Sequence, residues 1–82
     1  MKPEIALGQV LRELRLAQGL SQEKLAHEAG IERNYISLLE LGKNSATVSK
    51  LFQLAPLLGV SVSRLMARVE DRIAEGQGKK PS

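Results

Sequence analysis

Eighty-two residues suffice for one domain and not for two ordinary cores, and they exceed the roughly 40 residues below which a fold usually depends on staples. The absence of cysteine excludes disulfides, thiolate metal sites and a cysteine nucleophile, so a stapled secreted scaffold and a zinc finger both drop out. The net charge of +3 is unevenly placed: residues 1–44 balance six bases against six acids, whereas residues 45–82 carry six bases and three acids, so bulk charge alone selects no partner.

With 43% hydrophobic residues and only Tyr35 and Phe52 as aromatics, the chain should bury an aliphatic core. Pro3 suits a first helical turn, where its missing N–H is no loss, and Leu7, Leu11 and Leu14 recur at helical spacing until Gly19 stops the first helix. Ser21 is a cap for a short second helix with Leu25, Ala26 and Ala29 inward, and Gly30 ends it. Arg33 to Leu41 form a third helix with Ile36 and Leu39 inward, closed by Gly42; Glu32 before it is a poor cap. Thr47 caps a fourth helix whose apolar set is Val48, Leu51, Phe52, Leu54, Ala55 and Leu58. Pro56 inside that helix removes a backbone bond and crowds the carbonyl four residues back, which predicts a kink or a tightened last turn before Gly59. Ser61 caps a fifth helix along the stripe Val62, Leu65, Met66, Val69 and Ile73, fading before Gly76. The expected fold class is all-α, with a domain over residues 1–75 and a polar tail over 76–82, and no stretch alternates long enough to propose a strand.

The third helix carries Arg33, Asn34, Tyr35, Ser37 and Leu38 on faces that Ile36 and Leu39 do not need. These are residue types suited to a DNA major groove: arginine forks onto guanine, asparagine pairs with adenine, and leucine meets a thymine methyl. Catalysis lacks support, since Ser21 and Ser37 have no His-Asp relay and no glycine-rich phosphate loop is present, so the chain is not expected to be an enzyme. His27 has no second ligand at metal spacing and reads as an exposed helix residue, so no metal and no cofactor is expected. No apolar run approaches the roughly 20 residues of a membrane span, and Lys2 is followed by Pro3 and Glu4 rather than a signal-peptide core, which points to the cytoplasm and away from a membrane partner.

Four runs carry a family resemblance: Leu11-Arg12-x-Leu14-Arg15, Gly19 through Ile31, Tyr35-Ile36-Ser37-x-Leu39-Glu40-x-Gly42, and Leu58-Gly59-Val60-Ser61. Over residues 5–66 the chain resembles the Cro/C1-type (XRE-family) helix-turn-helix domain of phage repressors and bacterial regulators. Its size is similar to that of stand-alone controller proteins of restriction-modification systems. The resemblance implies a compact five-helix, lambda-repressor-like fold, with residues 21–29 as the first helix of the motif and 33–41 as the recognition helix. It implies base contacts from Arg33, Asn34, Ser37 and Leu38, DNA-backbone contacts from Gln22, Tyr35, Lys43 and Asn44, and a structural ion pair between Arg15 and Glu40. Glu32 stands where relatives often carry Ser, Thr or Asp, Ala46 where many carry proline, and Pro56 is unusual for the family.

The implied partner is double-stranded DNA in a bacterial or phage setting, with RNA polymerase blocked or recruited nearby. One recognition helix supplies few base contacts, so two copies on a palindromic operator are expected, with Val62, Met66, Val69 and Ile73 as the homodimer interface, aided by the end of the fourth helix. The rival assignment packs that stripe on the first helix. Arg64, Arg68 and Arg72 are expected to solvate the dimer, and Lys79 and Lys80 to sit in a solvated tail. The competing functional class is an antitoxin-type interaction module that also regulates its own promoter, and its mark would be a toxin-binding extension. RNA binding lacks an aromatic stacking platform.

Overall fold

A computed structural model describes residues 1–76; the expected tail beyond Gly76, with Lys79 and Lys80, lies outside the described residues. Five α-helices follow one another: α1 (Pro3–Ala17), α2 (Gln22–Ala29), α3 (Arg33–Glu40), α4 (Val48–Leu54) and α5 (Val62–Gly76), with a 3-10 turn at Ala55–Leu58 joining the last two. No strand occurs among the described residues, and none of their helices is long and apolar enough to cross a membrane.

Local chemistry sets these boundaries. Ser21 Oγ accepts the Lys24 N–H at 3.0 Å, Thr47 Oγ1 the Lys50 N–H at 3.1 Å, and Ser61 Oγ the Arg64 N–H at 3.1 Å. Each such cap satisfies a helix-end donor and contributes about 1 kcal/mol. Glu32 makes no side-chain cap on α3, as its residue type implies. At Pro56 the α-helix gives way to the 3-10 turn, the tightened end expected from a residue without an N–H.

The core is aliphatic. Ala6, Leu7, Val10, Leu11 and Leu14 of α1 meet Leu25 and Ala26 of α2, Ile36 and Leu39 of α3, Leu54, Ala55 and Leu58, and Leu65 and Val69 of α5. α1 is the central element, packing along α3 on one side and α5 on the other. Its approach to α3 is close at Gly8, where a built Cβ would strike the backbone carbonyl of Leu39 and come within 2.7 Å of that of Glu40. Only a residue without a side chain fits between these two helices.

Three sequence expectations need correction. Val48 and Phe52 are 69% and 63% exposed, so α4 turns Leu54 fully and Leu51 partly inward and leaves its Phe in solvent. On α5, Val69 is only 2% exposed, and Val62 and Ile73 pack partly against the core. Of the stripe expected to form a dimer surface, Val69 is therefore taken up by the core, Val62 and Ile73 are half-buried and Met66 is exposed. The physical reason is that Leu65 and Val69 are one turn apart and face a helix as long as their own. α5 also runs on through Gly76 rather than ending before it.

Candidate nucleic-acid interface

The α2–α3 connection is three residues long. Gly30, at φ +70°, reverses the chain in the left-handed region, its N–H reaching the His27 carbonyl at 3.3 Å, while the Ile31 N–H reaches the Ala26 carbonyl at 2.9 Å. That pair of bonds closes α2 and turns Ile31 onto the core, which sends α3 off at a defined angle. A side chain at position 30 would meet nothing within 4 Å, so glycine is needed there for its backbone and not for space.

α3 buries Ile36 and Leu39 and turns the opposite side outward. Arg33 and Asn34 are exposed and Ser37 and Leu38 half-buried. At 3.6 residues per turn these four positions span an arc of roughly 140°, wide enough for a groove-facing surface. Tyr35 lies on the flank of that arc, with its Oη donating to the Ser45 carbonyl at 3.3 Å. Lys43 is exposed and Asn44 half-buried in the loop that follows.

The orientation of α3 is held from behind by a charged network. Arg15 Nε donates to Glu40 Oε2 at 2.6 Å and Arg15 Nη2 to Glu40 Oε1 at 3.0 Å, a two-pronged pair with side chains only 8% and 3% exposed. Arg15 Nη1 also donates to the Leu20 carbonyl at 2.7 Å, and Gln22 Nε2 to Glu40 Oε1 at 3.0 Å. One carboxylate thus binds together α1, α2 and the last turn of α3, and its Arg15 partner adds the α1–α2 turn. No buried side-chain nitrogen or oxygen among the described residues lacks a partner, so the network's desolvation is offset by full hydrogen bonding. Gln22, expected at the DNA backbone, is thereby anchored through its amide nitrogen, and its backbone N–H stands in the first turn of α2, where no intrahelical carbonyl precedes it.

The structure gathers the expected residues on the α3 side of the molecule, with Arg15 and Glu40 behind them, and leaves the α5 set elsewhere. Two features escaped sequence reasoning. Gly8 had a readable signal, since a glycine inside an apolar helical face costs about 1 kcal/mol against alanine and so implies close packing. The Gln22–Glu40 bond had none, because nothing in their separation along the chain brings them together. His27 is exposed, and no cluster among the described residues has the donors to hold a metal ion.

A short helix, a glycine reversal and a second helix with polar side chains outward, braced by a buried ion pair, define a helix-turn-helix unit. Residues 11–65 match the Helix-turn-helix family. The HTH-type transcriptional regulator y4dJ of Sinorhizobium fredii is 35% identical over 65 residues, covering 79% of this chain and 84% of that protein. Among solved structures, the restriction-modification controller protein C.AhdI of Aeromonas hydrophila is 39% identical, with 76% of this chain and 94% of that one covered at a TM-score of 0.72. The clp gene regulator ClgR of Corynebacterium glutamicum superposes at a TM-score of 0.90 with 26% identity, covering 95% and 83% of the two chains. The chain belongs to the helix-turn-helix family, of the Cro/C1 (XRE) type, a family of DNA-binding transcription regulators rather than enzymes.

Proposed function

We propose that the protein is a controller-type regulator that binds palindromic double-stranded operators as a homodimer in the cytoplasm and acts on transcription by blocking or recruiting RNA polymerase. The observation that carries this reading is the outward display of Arg33, Asn34, Ser37 and Leu38 on a helix fixed at its back by Arg15 and Glu40. Arg33 and Asn34 supply hydrogen bonds to base edges and Leu38 an apolar contact, while Lys43, Asn44, Tyr35 and the first turn of α2 at Gln22 hold the phosphates on either side. The likeness to C.AhdI supports the controller assignment.

The partner surface is revised from the sequence expectation. Val69 is withdrawn because it is buried, and the exposed large apolar groups of α4 and α5 are Val48, Phe52 and Met66, with Val62 and Ile73 half-buried beside them. Two recognition helices so joined would address half-sites about one helical turn, roughly 34 Å, apart. Selection of bound duplexes from random DNA, with the mass of the complex measured alongside, tests the reading. A palindromic consensus bound by two chains is the expected result; binding indifferent to nucleotide order, or a single chain per site, would contradict it.

A further inference from the structure

Residues 41–69 contain no Asp or Glu, yet they carry Lys43, Lys50, Arg64 and Arg68. Lys50 is drawn to the flank of the recognition helix: its Nζ lies 5.9 Å from the centre of the Tyr35 ring, and Tyr35 is itself tied to the loop through Ser45. Lys50 is half-buried and pairs with no carboxylate among the described residues, in contrast to Lys24, whose Nζ is 3.3 Å from Glu28 one turn along α2. The loop after α3 and α4 thus carry Lys43 and Lys50 with no carboxylate, whereas α2 carries Glu23 and Glu28 beside Lys24.

An aromatic face restricts where an ammonium group sits without neutralising it, as a carboxylate would. The charge of Lys50 is left available to an anion while its stem is held against the protein. We propose that Lys50 contacts a phosphate of the DNA strand that passes the α3–α4 loop, beside Lys43, with the Tyr35 ring setting its position. This rests on the duplex-binding function proposed above, and it adds a backbone contact that the helix-turn-helix motif does not include, since Lys50 lies on α4.

The test is the salt dependence of binding to the selected duplex by Lys50→Gln, Lys50→Arg and Lys43→Gln, each checked for an unaltered melting curve. Loss of one phosphate contact makes the slope of log affinity against log salt shallower by about 0.9. Lys50→Gln should show that change, with equal proportional loss on an unrelated duplex, and Lys50→Arg should retain the original slope. Replacing single phosphates by uncharged methylphosphonates should reveal one position that weakens the unaltered protein and not Lys50→Gln. A slope unchanged in Lys50→Gln but reduced in Lys43→Gln would overturn the Lys50 contact and leave duplex binding standing. Absence of salt-dependent duplex binding by the unaltered protein would overturn both.

Discussion

Glu40 shows how one side chain serves two elements at once. Its two oxygens accept from Arg15 and Gln22 while it is almost wholly removed from solvent, so its removal strands a buried guanidinium. Glu40→Ala should lower stability by about 3–5 kcal/mol. In a domain of this size that corresponds to a fall in melting temperature on the order of ten degrees or more, and an unchanged melting curve would remove the pair from the structural frame. Arg33 and Lys43 are both exposed cations, but the proposed interface gives them different parts. Arg33→Ala should relax base preference in competition binding, whereas Lys43→Ala should weaken all duplexes evenly. The Arg15–Glu40 pair was legible because the resemblance supplied the partners and the structure joins them; the part of Gln22 in it was not, since a surface-lying glutamine carries no mark of an inward bond.

At the scale of elements, punctuation was the most legible layer. Ser21, Thr47 and Ser61 cap the helices expected of them, because a hydroxyl next to an orphan N–H needs no tertiary context. Thr47→Ala should therefore cost about 1 kcal/mol in chemical denaturation with little change in operator preference. Four helices end with the same pair of bonds, and the residue after the reversal donates back across the turn: Leu20 to Arg15, Ile31 to Ala26, Lys43 to Leu38 and Val60 to Ala55. Leu20, Ile31 and Val60 fold onto the core, as that turn favours. Lys43 occupies the same place with a charge and stays in solvent. Which apolar faces are buried was less legible. Periodicity located the stripes of α4 and α5 but not their neighbours. Phe52 lies outside because α4 is only seven residues long and turns a single narrow edge inward, and Val69 lies inside because α1 runs beside it.

For the whole molecule, the exposed apolar groups of α4 and α5 carry the dimer reading. Phe52→Asp should leave monomer stability nearly unchanged, since the side chain is already in solvent, and should halve the mass seen in sedimentation while weakening operator binding. A Phe52→Asp protein that sediments as before would move the partner surface elsewhere. The all-helical plan was legible as a whole because five helix starts and stops agree with one another along the chain. The assembly was not, because a sequence does not say whether an apolar face meets its own chain or another.

Gly8 gives α1 a further part to play. This helix touches both α3 and the helix that carries Met66, so in the proposed dimer it would act as a gauge block between the grip on the partner and the grip on the groove. The bare backbone at position 8 sets the thickness of that block. Gly8→Ala would push α3 outward by about an ångström, the gap a carbon needs from a carbonyl oxygen. It should appear in operator selections as an altered preferred spacing between half-sites, produced by a methyl group that meets neither the nucleic acid nor the second subunit.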